Sequence, residues 1–196
     1  MIAAADPFDY SWWLASRAAG IVAIVLLSAS VALGLAMAGA QPRRPGMKVV
    51  LRRLHQYLAL GGLIAVVAHG ALLLLDPWLQ PGLTGILIPF AMDYRPLWTG
   101  LGIIAGWSVM VLGLTYWARN RIGAQRWKVI HRFTLLAYVF AIVHVLGAGT
   151  DASSVWLRVV LLAAVAPIPY FLVLRVLGRR PQRQPAQRPR GAGASW

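Results

Sequence analysis

The stretch LHQYLALGGLIAVVAHG, residues 54–70, decides the fold, because it is apolar enough for a lipid bilayer and yet contains His55 and His69. A second apolar stretch, IHRFTLLAYVFAIVH at 130–144, contains His131 and His144. These are the four histidines of the chain. Ionisable residues inside membrane segments are costly, so they indicate a functional site.

The composition supports a membrane protein. Of the 196 residues, 59% are hydrophobic and only 12% are charged, which is too apolar for an ordinary soluble domain. Cysteine is absent, which excludes disulfides, thiolate metal sites and cysteine nucleophiles. Glutamate is absent too, which argues against the carboxylate chains of many proton pumps.

Five segments are long and apolar enough to cross a bilayer, which needs about 20 residues each. They run from about 12 to 39, 54 to 75, 97 to 118, 129 to 148 and 156 to 177. The fold class is therefore an all-α integral membrane protein, a helical bundle with five transmembrane helices. Pro167 and Pro169 should kink the fifth span. Residues 77–96 form an outer loop with an apolar middle, which predicts a sixth, short interfacial or re-entrant segment.

The basic residues predict the orientation of the bundle. The net charge of +14 could suggest nucleic acid binding, but 16 of the 19 basic residues cluster in two loops and the tail on one side of the membrane. This distribution is typical of topology signals and lipid contacts, so we expect membrane lipids as partners and no nucleic acid. The N-terminus should face outward and the C-terminus the cytoplasm.

The same pattern predicts a multi-pass protein of the plasma membrane, which in a bacterium is the inner membrane. The first residues, MIAAADPFDYSWW, lack a basic region, so we expect the first apolar run to remain in the mature protein. Residues 1–11 would be an outer segment and 12–178 the membrane domain. Residues 179–196, rich in Pro, Gln and Arg, would form a disordered basic cytoplasmic tail.

The spacing of the histidines predicts two stacked sites. His55 and His69 lie about 21 Å apart along an ideal helix, and His131 and His144 about 19.5 Å apart. The second and fourth spans run in the same direction, so His55 lies level with His131, and His69 with His144. We name His55 and His131 the inner pair, and His69 and His144 the outer pair.

Two neutral imidazoles on opposite faces of an iron suit low-spin heme b. Small residues near the pairs would give the porphyrin room, although they also serve helix packing; they are Gly61, Gly62, Ala65, Ala68, Gly70, Ala137, Ala141 and Gly147. The alternative is that each histidine is a hydrogen-bonded core residue. On an ideal helix His131 and His144 would also not share a face, so either the fourth span contains a bulge or local unwinding, or the two hemes meet it from different sides.

Four stretches resemble the ferric reductase-like transmembrane domain superfamily, which includes ferric reductases, NADPH oxidases and the heme-binding subunit of a bacterial methionine sulfoxide reductase system. They are SRAAGIVAIVLLSASVALGL, LHQYLALGGLIAVVAHG, PFAMDYRPLW and RWKVIHRFTLLAYVFAIVHVLGAGTDA, and the resemblance covers about residues 10–178. The intervals of 13 and 12 residues between the paired histidines are similar to those of the NADPH oxidase and ferric reductase branch.

The resemblance implies two b hemes as cofactors, the inner one with axial ligands His55 and His131 and the outer one with His69 and His144. Family members typically pass electrons from a cytoplasmic NAD(P)H–flavin domain to an outer acceptor. This chain ends after the spans, so we expect it to bind no flavin or NAD(P)H and to need a separate redox partner, a flavoprotein or a quinol. A quinone is a further candidate cofactor.

Other residues are weaker candidates. Basic side chains near the predicted hemes could bind propionates or substrate, although topology or snorkelling also explains them; they are Arg17, Arg52, Arg53, Arg95, Lys128, Arg132 and Arg158. Tyr138 and Phe140 are candidates for the space between the hemes, with core packing as the alternative. No catalytic residue is predicted.

Three functions fit the sequence. The first is a transmembrane di-heme b cytochrome, an electron-transfer subunit of an oxidoreductase. The second is a stand-alone quinol-oxidising or ferric- or metal-reducing membrane enzyme. The third is a non-redox membrane scaffold or transporter, which would be colourless.

Overall fold

The computed structural model describes residues 10–39 and 46–177, and these residues form eight helices and no strand. The predicted tail at 179–196, the loop arginines Arg43 and Arg44 and most of the predicted outer segment 1–11 lie outside the described residues. The helices are α1 (Ser11–Gly39), α2 (Met47–Leu73), α3 (Gly82–Leu87), α4 (Pro96–Ile122), α5 (Ala124–His131), α6 (Thr134–Ala148), α7 (Val155–Val165) and α8 (Pro167–Leu177).

The five predicted spans are confirmed. Helices long and apolar enough to cross a membrane cover Ser11–Ala38, Met47–Leu73, Pro96–Ile122, Ala124–Ala148 and Val155–Leu177. The protein is therefore a multi-pass integral membrane protein. The second span begins seven residues before the predicted boundary, because the helix continues through Lys48, Arg52 and Arg53. Long basic side chains at a span end can reach the headgroups while their stems stay in apolar surroundings.

The fifth span is interrupted at Pro167, one of the two prolines predicted to kink it, while Pro169 lies within the helix that follows. Helix α7 ends at Val165 and α8 begins at Pro167. Proline lacks the N–H that would continue the helix, but its fixed φ suits the first position of a new one.

The fourth span is interrupted between the two histidines. Helix α5 ends at His131, and the N–H groups of Arg132 and Phe133 bond the carbonyls three residues earlier, at 3.2 and 3.0 Å. Such a 3₁₀-type turn advances about 120° per residue instead of about 100°. The tighter winding brings His131 closer to the face that carries His144. The local change is thus a tightening of the helix and not the bulge or unwinding that was one of the two alternatives from the sequence.

The bundle consists of two helix pairs with a gap between them. Helix α1 packs along α2 and also contacts α8, while α4 packs along α6, and α2 makes only sparse contact with α4. The large apolar side chains on the outward faces are exposed, as expected for lipid contact; examples are Val22, Tyr57, Ile64, Trp117 and Leu162.

The predicted short segment in the outer loop is helix α3. The indole N–H of Trp107, eleven residues into α4, donates to the Leu87 carbonyl at 3.0 Å, so the end of α3 lies against α4 within the membrane domain. Ile86 lies against Gly70, the residue after His69. The segment therefore closes the gap between α2 and α4 beside the outer pair.

The small residues of α2 serve helix packing more than they line the gap. Gly62 is buried, and a Cβ built on it would lie 2.7 Å from Cδ2 of Leu27 on α1. Of the eight small residues expected near the histidine sites, only Gly70 and Ala141 line the cavity between the helix pairs. The other six do not line it, and three of them, Gly62, Ala65 and Ala137, are buried within the bundle.

Gly62→Ala should therefore destabilise the bundle. The added methyl group meets the branched part of Leu27, and such overpacking costs about 1–3 kcal/mol. We expect a thermal midpoint several degrees lower in detergent, measured by intrinsic tryptophan fluorescence. Gly61→Ala is the matched control, because its Cβ meets only the flexible tip of Leu26 at 3.3 Å. Equal midpoints for the two variants would contradict this account of the α1–α2 contact.

Candidate functional site

The four histidines lie along one cavity inside the bundle. The cavity has a volume of about 740 Å³ and is lined by residues from the inner pair to the outer pair. The ring centres of His55 and His131 lie 6.2 Å apart with their planes at 87°. Those of His69 and His144 lie 6.3 Å apart at 69°. The structure thus brings the histidines together in the two pairs expected from their depths.

Three of the four histidines bond a backbone carbonyl of a neighbouring helix. Nδ1 of His55 donates to the Ser30 carbonyl at 2.9 Å, and Nδ1 of His69 to the Ser16 carbonyl at 2.8 Å. Nδ1 of His144 donates to the Trp98 carbonyl at 2.9 Å. A carbonyl oxygen can only accept, so the bonded Nδ1 carries a proton, and in the neutral form of the ring the lone pair is on Nε2.

A glycine follows each accepting carbonyl by four residues. A Cβ on Gly20 would lie 3.1 Å from Nδ1 of His69, and one on Gly34 would lie 3.3 Å from Cε1 of His55. A Cβ on Gly102 would overlap the His144 ring. In a helix the carbonyl of residue i faces residue i+4, so the missing side chain lets the ring approach the carbonyl.

Two serines of α1 add a second bond to each of the α2 histidines. The Ser16 hydroxyl donates to the His69 carbonyl at 2.8 Å, and the Ser30 hydroxyl donates to the His55 carbonyl at 3.3 Å. The Ser16–His69 and Ser30–His55 contacts therefore have the same arrangement, and 14 residues separate them on both α1 and α2. Both serines are buried.

His131 has a different environment. Its ring stacks on Trp127, with centres 4.9 Å apart and planes at 18°. Its buried Nδ1 and the buried indole nitrogen of Trp127 have no hydrogen-bond partner in the described part of the chain. The inner pair and the adjacent Trp127 therefore contribute two buried polar atoms, His131 Nδ1 and Trp127 Nε1, for which a ligand could provide partners.

Comparison with protein families decides the classification. The model of the family described as "Ferric reductase like transmembrane component" matches residues 19–142. The chain belongs to this ferric reductase-like family. Comparison with curated proteins and with solved structures found no match.

The family match agrees with the resemblance seen in the sequence. It identifies a membrane component of electron transfer, and ferric reductase-like domains generally bind heme. The matched region includes His55, His69 and His131 and ends two residues before His144.

Between the two pairs of this ferric reductase-like bundle lies a buried polar contact. Tyr138 is 4% exposed, lines the cavity and shares a hydrogen bond of 2.6 Å with the hydroxyl of Ser28. The Ser28 hydroxyl also donates to the Ile24 carbonyl at 2.5 Å. Phe140, the other residue expected between the pairs, does not line the cavity.

The inner basic residues separate into two groups. Arg132 lines the cavity, as does Arg175 of α8, which was not singled out in the sequence. Arg52, Arg53 and Lys128 are exposed and do not line it. A role for these three at the inner pair stays a prediction.

The outer arginines bond protein groups. Arg17 forms an ion pair with Asp151 and lies over the Trp13 ring, 4.8 Å from its centre. Arg95 donates to the Gly147 carbonyl at 2.6 Å, and Arg158 to the Ala152 carbonyl at 3.0 Å. Arg17 and Arg158 thus bond the connection between α6 and α7, whereas Arg95 bonds the last turn of α6. Arg17 also lines a cavity beside His69 and His144.

Gly102→Ala tests the support of His144. The added Cβ would push the imidazole away from the Trp98 carbonyl, and loss of such a supporting bond typically lowers affinity for a metal centre by about tenfold or more. With His144 as a heme ligand, the role proposed below, less heme should remain bound after size exclusion, measured by absorption. Gly61→Ala is the control, because Gly61 does not line the cavity and its Cβ would meet only the tip of Leu26, at 3.3 Å. Equal heme retention in both variants would show that this support is unimportant.

Proposed function

We propose that the protein is a transmembrane di-heme b cytochrome that carries electrons between a separate donor and an acceptor at the opposite face. In this proposal the inner pair holds one heme and the outer pair holds the other. The donor is a flavoprotein or a membrane quinol. Membership of the family supports a role as a membrane component of electron transfer.

The separation of the paired rings carries the proposal. An imidazole nitrogen binds a metal at about 2.0 Å and lies about 1.2 Å from its ring centre, so two imidazoles on opposite sides of one metal have centres about 6.4 Å apart. The two observed separations are 6.2 and 6.3 Å. A pair of hydrogen-bonded core histidines has no reason to adopt this distance twice.

The protonation of the rings also fits iron ligation. With the proton of His55, His69 and His144 held at Nδ1 by a carbonyl, each ring has Nε2 free as a ligand atom. Such outer bonds fix the orientation of a ligating imidazole and raise its basicity. When bound, a heme supplies an iron that gains or loses one electron at a time.

The polar atoms of the inner end fit the same cofactor. The indole N–H of Trp127, which stacks on His131, is a buried donor without a partner among the described residues. Arg132 and Arg175 line the cavity together with His131. Heme carries two carboxylates, which need donors or cations in apolar surroundings. These three side chains are therefore the best candidates to hold them.

The buried contact between Ser28 and Tyr138 has a separate role in the proposal. It lies between the levels of the two pairs, and both side chains are almost completely buried. Because the hydroxyls satisfy each other and the Ile24 carbonyl, they can stay in a dry interior at low cost. The contact keeps water out of the space between the pairs and fixes the distance between α1 and α6.

His69→Ala should remove one heme and leave a folded protein that retains the other. His55→Ala should do the same for the inner site, since each iron needs both of its imidazoles for a low-spin state. The measurement is the reduced-minus-oxidised spectrum together with the heme-to-protein ratio of each variant. Monodispersity on size exclusion reports folding independently.

Unchanged heme content in all four single histidine variants would contradict the assignment of the ligands. Loss of both hemes from a monodisperse His69→Ala protein would contradict the independence of the two sites. Gln56→Ala is a useful control, because Gln56 adjoins His55 but bonds Tyr116 on α4, at 2.5 Å.

A further inference from the structure

A second cavity adjoins the first at the outer pair, and the two share several lining residues, among them Met92 and Thr99. It has a volume of about 610 Å³, and His69 and His144 line one side of it. Four aromatic residues are also among those that line it; they are Tyr10, Trp13, Trp78 and Tyr94. The cavity thus offers flat apolar surfaces within reach of the outer pair.

One side chain of this cavity has an unsatisfied polar atom. Asp76 follows α2 and is 3% exposed. Its Oδ1 accepts the backbone N–H of Trp78 at 3.1 Å, but its Oδ2 has no partner among the described residues. A buried carboxylate oxygen without a partner is costly, so its position in a cavity wall points to a ligand that donates a hydrogen bond.

The charges of the cavity restrict the ligand. A metal ion needs several ligating groups, and the described residues contain no cluster of three His, Asp or Glu side chains that could hold one. An anion would meet the Asp76 carboxylate, while the nearby Arg17 is already paired with Asp151. A ligand with a neutral hydroxyl group needs no cluster of ligating side chains, and it is not repelled by the Asp76 carboxylate.

We propose that this outer cavity binds a hydroquinone, with its ring between the aromatic side chains and one hydroxyl donating to Oδ2 of Asp76. The hydroquinone ring would pack against the aromatic side chains, and its hydroxyl would donate a hydrogen bond to the unpaired oxygen of Asp76. That the bound hydroquinone exchanges electrons with the outer pair rests on the function proposed above. Binding itself depends only on the cavity and Asp76.

The test compares duroquinol with its dimethyl ether, which has the same ring but no hydroxyl. Binding is measured by equilibrium dialysis under anaerobic conditions, with the purified protein fully reduced and with empty micelles as the blank. Because a hydrogen bond to a charged group is among the stronger ones, we expect wild-type protein to bind the quinol at least about tenfold more tightly than the ether.

Asp76→Asn should abolish this preference, because an amide nitrogen replaces the accepting oxygen or competes with it. Asp93→Asn is the matched control, an exposed aspartate of the same outer loop that does not line the cavity. Ala148→Leu, which adds carbon atoms to the cavity wall, should weaken both probes. Heme content, measured on the same samples, should be unchanged in Asp76→Asn.

Equal binding of quinol and ether by wild-type protein would overturn the proposal, even if Asp76→Asn does not fold. A preference for the quinol that persists in Asp76→Asn would also overturn the proposal. Loss of heme from Asp76→Asn would overturn it as well, because the cavity would then belong to the heme site. If a protein without heme still prefers the quinol to the ether, the proposed hydroquinone site is supported and the proposed cytochrome function is rejected.

Discussion

The bundle depends on one requirement: an imidazole buried in an apolar interior must have a partner for its N–H. Water is scarce at that depth, so a carbonyl of a neighbouring helix takes this role for His55, His69 and His144. A helix carbonyl is accessible to a ring from outside only where the residue four positions on is small. The glycines Gly20, Gly34 and Gly102 meet that condition, and they determine how closely α1 approaches α2 and how closely α4 approaches α6.

The same requirement explains where the polar atoms remain unpaired. In the part of the chain that the structure describes, the three buried side-chain atoms without a partner belong to Asp76, Trp127 and His131. Two lie at the inner pair and one beside the outer pair. Polar groups within the helix contacts are satisfied, as in the bond between Ser28 and Tyr138, so the unpaired atoms occur only where the proposed ligands would bind.

Much of this arrangement could be predicted from the sequence. The length of the apolar runs predicted the five spans, and the prolines predicted a kink where α7 meets α8. The intervals between the histidines predicted that they lie as pairs at two depths in the bundle. The carbonyl partners were missed, although a signal was present: SRAAG at 16–20 and SVALG at 30–34 repeat Ser-x-x-x-Gly at the same interval of 14 residues that separates His55 from His69. Asp76 could not be predicted, because its burial depends on how residues 77–96 fold back over the outer end. The tight turn after His131 could not be predicted either, because no proline or glycine marks it.

The central claim is that each histidine pair holds one heme. The most direct test is the pyridine hemochrome of the purified wild-type protein from heme-replete cells, quantified against the protein concentration by amino-acid analysis. The account predicts two b hemes per chain. A ratio of one would contradict the role of one pair, and a colourless protein would contradict the role of both.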